Sequence, residues 1–414
     1  MSRKCGLIKS VGSYTVSKSF FKEVITMLYL GIDIAKLNHV ASLLNSDGEL
    51  IFSDFKFQNN FNGFNSLLQK LSSFDLPNLI IGIESTSHYG ENFINFFFPK
   101  SYNIALINPL QTNALRKTSI RDTKNDRIDS INIAKFLLIG YYRLITDKDI
   151  NVLNLKRLNR FRDKLIKQRS KCKIQLVSLI DLAFPELQYE FCLHSNAIYT
   201  LLSKAPCAED IAALRIDSLT KLLKNNSRGH FNRNTAEKIK SLAKSSVGHK
   251  DFSISIEIPQ LIQLIELLDS QVKEIESNID KILIEIDSII TTIPGISNVA
   301  AAGILGEIGD IDNFKNSSKL LAFAGLDPKV RQSGNFNALS TRMSKRGSRY
   351  LRQALIYTSW NIVRNNDKFK IYYQLKRSQG KSHYKALGHV AHKLVRVIFK
   401  LLKFNIPFDN NYLE

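Results

Sequence analysis

Acidic residues are in short supply. The 414-residue chain holds 37 aspartates and glutamates against 58 lysines and arginines, a formal charge of +21 and a pI of about 9.7. Such an imbalance suits a polyanionic partner, most simply nucleic acid, where counterion release supplies affinity. The alternative is a merely basic surface. Cysteine is scarcer still. Cys5, Cys172, Cys192 and Cys207 lie far apart and match no zinc spacing. They exclude a disulfide framework and fit a reducing, cytoplasmic compartment. No apolar run approaches the ~20 residues of a membrane-spanning helix, so the reading includes no membrane partner. Residues 1–26 carry Lys, Arg and Ser with Glu23 as their only acid. They read as a targeting peptide or, with Met27 as the natural start, as a non-core N-terminal extension, 1–27.

What is present is enough for a core. Hydrophobic residues make up 44% of the chain and aromatics 10%, a composition for two or three folded domains. In "YLGIDIAK" Leu28, Leu30, Ile32 and Ile34 alternate with Tyr29, Gly31 and Asp33, the period of a β-strand. A carboxylate there is costly unless it ends the strand, is paired or holds a metal. Two more apolar runs, 39–44 and 49–57, flank "NSDGE", whose Asp-Gly pair signals a hairpin. A helix follows with Phe61, Phe64, Leu67, Leu68 and Leu71 on one face, then the strand "NLIIGIE" ending in Glu84, an aromatic helix at 92–98 and the strand "YNIALINP". Three strands, a helix, a strand, a helix and a strand match the order of a ribonuclease H or RuvC-like α/β domain, here 28–149. A further helix begins near Lys124. Its Asp126 and Asp129, three residues apart, share one face.

The four acids admit two readings. Singly, each is a strand-end acid or a helix N-terminal acid favoured by the macrodipole. Jointly, Asp33, Glu84, Asp126 and Asp129 form a cluster of hard oxygen ligands suited to Mg²⁺ or Mn²⁺ and to metal-assisted phosphoryl transfer.

Beyond 150 the texture becomes helical. Leu155, Leu158, Leu165, Cys172, Leu176 and Leu179 fit a heptad seam interrupted by Arg162 and Arg169. A cleaner heptad runs through Leu261, Ile265, Leu268, Val272, Ile275, Ile279, Ile282 and Ile286, predicting either a coiled coil that joins protomers or an intramolecular helical hairpin. The whole of 150–290 reads as a helical coiled-coil region with an inserted stretch at 186–257. In a mostly α C-terminal domain, 291–408, "IPGISNVAAAGILGEIG" reads as half of a helix-hairpin-helix. Its Gly295 would admit a nucleic-acid backbone or, alternatively, tight helix packing. Lys329, Arg331, Arg342, Lys345, Arg346, Arg349 and Arg352 form a basic cluster for nucleic acid. Tyr350 and Tyr357, seven apart on a predicted helix, read as packing residues. His88 reads as a loop residue or as an orienter of substrate.

The motifs "GIDIAK", "IGIEST", "INP", "TKNDRIDS", "IPGI" and "FAGLDPKVRQSG…RMSKRG" appear in that order. Together they resemble the IS110/IS1111 family of transposases. The resemblance covers most of 28–404 and is weakest across 186–257. It implies a DEDD tetrad at Asp33, Glu84, Asp126 and Asp129 that binds Mg²⁺ or Mn²⁺, and a nucleophilic serine at Ser333. It further implies donor and target DNA as substrates, an element-encoded bridge RNA as guide, and a dimer or tetramer joined by the coiled coil, at work on a prokaryotic nucleoid. On the residues alone, the "SG" of Ser333 after a Gly-Leu-Asp-Pro turn reads first as a flexible loop, set among the charges a scissile phosphate needs. Two rivals follow: a metal-dependent junction nuclease without a covalent intermediate, and a non-catalytic nucleic-acid-binding protein.

Overall fold

The computed structural model describes residues 27–74, 76–84, 89–107, 125–140, 142–328, 332–333, 336–337 and 342–413. Two compact units result, one ending at Thr146 and the other beginning at Asp147.

The first unit is built on β1 (Leu28–Asp33), β2 (Asn38–Leu44), β3 (Leu50–Gln58), β4 (Leu79–Glu84) and β5 (Asn103–Ile107), ordered β3-β2-β1-β4-β5. The sheet is mixed: β1 runs antiparallel to β2 and parallel to β4, and β4 runs parallel to β5. Helices α1 (Phe61–Leu71), α2 (Tyr89–Phe97) and α3 (Asp126–Leu138) flank it. The chain order of strands and helices is the one legible in the sequence. At the β2–β3 hairpin Asn45 accepts hydrogen bonds from the backbone of Asp47 and Glu49, and Gly48 takes φ +82°. Alternation does the rest. Leu30, Ile32, Ile81 and Ile83 are fully buried, and Ile83 reaches toward α2 at Gly90. An aromatic layer supports α1 and α2, with Phe93 and Phe97 stacked at 4.2 Å and Phe64 edge-on to Phe93.

The second unit is helical. Its spine pairs α4 (Asp147–Ala183) with α9 (Phe252–Ile286). Contacts join Asn151 to Glu285, Arg162 to Glu276 at 2.6 Å, and Arg169 to Asp269. As one number rises the other falls, so the helices are antiparallel. The heptad at 261–286 is therefore covered within the chain: Ile265, Leu268, Val272, Ile275 and Ile279 are buried against it. The sequence left a coiled coil between protomers and an intramolecular hairpin open, and this seam is spent on the hairpin. Arg162 and Arg169, which interrupt the seam of α4, are the residues that ion-pair across it.

The stretch least readable in sequence folds as α5 (Asn196–Lys204), α6 (Ala208–Ala213), α7 (Ile216–Asn226) and α8 (Arg233–Lys244), with α5 against α9. After the spine come α10 (Asn298–Ile308), α11 (Ser317–Phe323), the two-residue strands β6 (Gln332–Ser333) and β7 (Phe336–Asn337), α12 (Arg349–Asn365), α13 (Asp367–Ser378) and α14 (His383–Phe404). The regions divided at 290 on sequence share one continuous core, since α10 packs on α4 and α12 while α14 packs on α12 and α13. Among the described residues, no helix is long and apolar enough to cross a membrane.

Candidate active site

Asp33 and Glu84 end neighbouring parallel strands. Ile32 pairs with Ile83, so the two acids occupy the next register position. Both lie two residues beyond a glycine, which fixes their face. A Cβ on Gly31 would meet the Ser130 carbonyl oxygen at 2.1 Å and the Ala134 nitrogen at 2.4 Å. A Cβ on Gly82 would meet Leu137 at 2.9 Å and Ile133 at 3.0 Å. Helix α3 thus lies directly on these glycines, and Asp33 and Glu84 belong to the face it covers.

The direction of α3 follows from its far end. Leu138 approaches Gly48, in the turn beyond the β2 residue opposite Tyr29. The C-terminus of α3 therefore sits at the start of β1, and its first turn sits where β1 and β4 end. That turn carries Asp126, exposed, and Asp129, buried at 8%. Asn125 caps it by accepting from the Arg127 amide at 3.1 Å. Ser130 donates to the Arg127 carbonyl at 2.8 Å and meets the Ser42 hydroxyl at 2.7 Å, a buried bond that anchors the turn to β2. The four acids expected from sequence therefore share one end and one face of the sheet. Among the described residues, no three His, Cys, Asp or Glu side chains already surround a common point. Carboxylates so placed offer hard oxygen donors of the kind Mg²⁺ and Mn²⁺ take, and α3 brings its two by resting on glycine.

In the second unit, Ser333 pairs with Phe336 in the short β6–β7 ladder. At Ser333 itself the backbone is strand-paired. Lys329, Arg331 and His88 lie outside the described residues. Of the rest, Arg342, Lys345 and Arg346 ride on a loop bound backbone to backbone against the end of α11 and the turn after it, and Arg349 and Arg352 follow on α12. The amides of Ser344, Lys345 and Ser348 donate to the carbonyls of Asp327, Gly325 and Phe323. Gly347, at φ +121°, is forced by proximity: a Cβ there would stand 2.1 Å from the Phe323 carbonyl oxygen. With its backbone satisfied inward, the loop leaves Arg342, Lys345 and Arg346 exposed, and Arg349 is exposed at the start of α12. Arg352 turns inward and donates to the Ala324 carbonyl at 3.1 Å.

Sequence reasoning missed Glu307. It is 5% exposed and accepts two bonds from Arg160, at 2.6 and 3.1 Å, and one from Ser348 at 2.6 Å. Burial pushes its carboxyl upward, but the bonds from Arg160 and Ser348 and the charges of Arg160 and Lys156 outweigh that and hold it below the usual range. Ser348 also caps α12, accepting from the Leu351 amide, so one carboxylate ties α4, α10 and the end of the basic loop together. No local signal separates "LGEIG" from any amphipathic stretch. Gly295, at φ +90°, lies against α12, where a Cβ would meet the Asn361 carbonyl oxygen at 2.9 Å. The close approach it permits is to protein, the packing alternative. Tyr350 packs between guanidiniums, with Arg160 and Arg349 4.8 and 4.7 Å from its ring centre. Tyr357, expected to pack, is 69% exposed.

Comparison with known proteins gives matches to both units. A model described as a transposase matches residues 30–185, and that of the transposase IS116/IS110/IS902 family matches 287–374. The chain is 23% identical to the pilin gene-inverting protein of Moraxella bovis over 93% of its own length and 99% of that protein's. It is 22% identical to the transposase for insertion sequence element IS1111A of Coxiella burnetii, over 67% of this chain and 64% of that one. It is also 26% identical to the IS110 43.6 kDa protein of Streptomyces coelicolor, a match spanning 36% of this chain and 38% of that protein's length.

Proposed function

The chain belongs to the IS110 family of transposases, and on that premise we propose that it cuts and rejoins DNA with two sets of residues. The first is the carboxylate set Asp33, Glu84, Asp126 and Asp129 of a RuvC-like domain; the second is Ser333 with the basic loop beside it. The observation that carries the reading is the shared end and face of the four acids, reached from three separate stretches of chain.

The carboxylates would hold divalent Mg²⁺ or Mn²⁺. Bound there, the ion supplies Lewis-acid stabilisation of charge on a phosphoryl group. The chain's own residues do the remaining work. Arg342, Lys345, Arg346 and Arg349 bind the strand and offset the charge that develops at the scissile phosphate. The Ser333 Oγ attacks phosphorus as its proton passes to water, and the P–O bond to one sugar breaks while the leaving oxygen takes a proton. A hydroxyl of the second strand then displaces Oγ, which restores the serine and rejoins the DNA. An element-encoded bridge RNA would choose donor and target DNA by base pairing. Self-association of the protein, as a dimer or tetramer, would bring the two DNAs together.

The test is adduct trapping on a supercoiled plasmid carrying the DNA that flanks the protein's own gene, with the RNA that co-purifies. The wild type should leave a protein–DNA adduct that survives denaturation, with the phosphate on Ser333 by mass spectrometry. Ser333→Ala should lose adduct and exchange yet still bind DNA. Cleavage without adduct would favour the junction nuclease. DNA processing that survives alanine at Asp33 would reject the carboxylate set.

A further inference from the structure

The second unit carries a surface that the phosphoryl-transfer reading leaves unused. Between Arg342 and Lys403 the only acid is Asp367, so this stretch draws a polyanion however its helices are arranged. Within it, aromatic rings gather from three helices. Trp360 of α12 lies edge-on to His383 of α14 at 5.0 Å and to Tyr373 of α13 at 6.2 Å. The Tyr373 hydroxyl and His383 Nδ1 are bonded at 2.7 Å, and His383 lies edge-on to Tyr384 at 5.2 Å. Tyr373 rests against the core, but Trp360 and Tyr384 face outward. The inward stripe of α12 is Leu355, Thr358, Ser359 and Ile362, whereas Trp360 is 39% exposed and Tyr384 76%. Tyr357 and Arg364 continue the outward stripe one turn to either side of Trp360, with the Arg364 guanidinium 5.9 Å from the indole.

We propose that Trp360, Tyr384 and the rings between them form a stacking platform for unpaired nucleotides of a single-stranded nucleic acid, whose phosphates the surrounding lysines and arginines hold. A duplex keeps its base faces covered, so a protein that needs only phosphates has no use for exposed rings. Rings set among cations are what a single strand rewards, because every base has a face to stack. The hydrogen bond between Tyr373 and His383 fixes the platform across the α13–α14 junction, so its geometry exists before the strand arrives. This inference rests on the nucleic-acid reading above but not on the cleavage chemistry.

Trp360 is the single tryptophan of the chain, so the full-length protein carries its own reporter. A short single-stranded oligonucleotide, as DNA and as RNA of one sequence, should quench its emission. The matching duplex and inorganic polyphosphate, a charge-only probe, should not. Either single strand supports the platform, and the tighter of the two identifies the natural occupant. Tyr384→Ala should weaken single-strand binding about tenfold, and Tyr384→Phe should retain it. Tyr384 is exposed, so neither change endangers the fold. Equal quenching by polyphosphate or duplex, or unchanged affinity in Tyr384→Ala, would overturn the proposal. A protein that exchanges DNA while Trp360 stays silent sinks the platform alone. One that stacks single strands but never cuts sinks only the reaction.

Discussion

Glu307 is a charged group that burial alone would make costly. Removing the charge while keeping the shape, in Glu307→Gln, leaves Arg160 and Lys156 without their counter-charge. The loss at neutral pH should be about 2 kcal/mol, below the ~3–5 kcal/mol of a fully enclosed pair because the Arg160 side chain is 41% exposed. The sign with pH follows from a carboxyl held below its ordinary value of 4.5. Its contribution is present above that value and is lost as pH falls through the lowered folded value. Thermal melts of wild type and variant should differ at pH 7 and converge in acid. Gly31 sets a second residue-scale test. Gly31→Ala places a methyl 2.1 Å from the Ser130 carbonyl oxygen, so α3 must lift. The expected outcome is a loss of about 3 kcal/mol in unfolding experiments, with strand cleavage lost as Asp126 and Asp129 move off Asp33. At this scale the sequence reveals that Asp33 sits in a strand, because alternation is local. It hides Glu307, because a buried ion pair between positions 160 and 307 has no local signature.

At the scale of elements, periodicity names a face and leaves its partner unnamed. The middle of the α9 heptad, Ile265 to Ile279, was legible, while toward its ends the buried seam runs through Ile262 and Leu283 instead of Leu261 and Ile282; the helix covering it begins more than a hundred residues earlier in the chain. The two arginines that seemed to spoil α4 make sense only once Glu276 and Asp269 face them. Tyr357 shows the converse error: its spacing suggested packing, but the inward stripe of α12 passes through Leu355 and Ile362 and leaves Tyr357 in solvent, whereas Tyr350 packs as expected. The pairing makes a prediction that separates a folding role from an assembly role. Leu268→Asp places a charge in the buried seam and should unfold the second unit or cost it several kcal/mol, about the scale of an unpaired buried charge. Leu264→Asp, on the exposed side of the same helix at 42% exposure, should change stability by only about 0.5 kcal/mol. Circular dichroism during urea unfolding distinguishes them. If both variants were equally stable, α4 would not cover this seam in solution.

For the whole molecule, the charge of +21 requires nucleic-acid affinity to fall steeply with added salt. Composition indicates that much, and the order of strands and helices indicates the α/β unit, but placing the carboxylates at one end of the sheet needed the sheet order β3-β2-β1-β4-β5. Only that order makes the ends of β1 and β4 neighbours. Whether the four carboxylates hold one divalent ion can be tested without knowing any DNA target. Fe²⁺ bound in place of Mg²⁺, with ascorbate and peroxide, generates radicals that cut the polypeptide beside the ion. Cuts are expected at three separated places, next to Asp33, next to Glu84 and within Asp126–Asp129, all suppressed by excess Mg²⁺ and by Asp33→Ala. Cuts confined to one of these stretches, or a pattern that Asp33→Ala leaves unchanged, would contradict a shared ion.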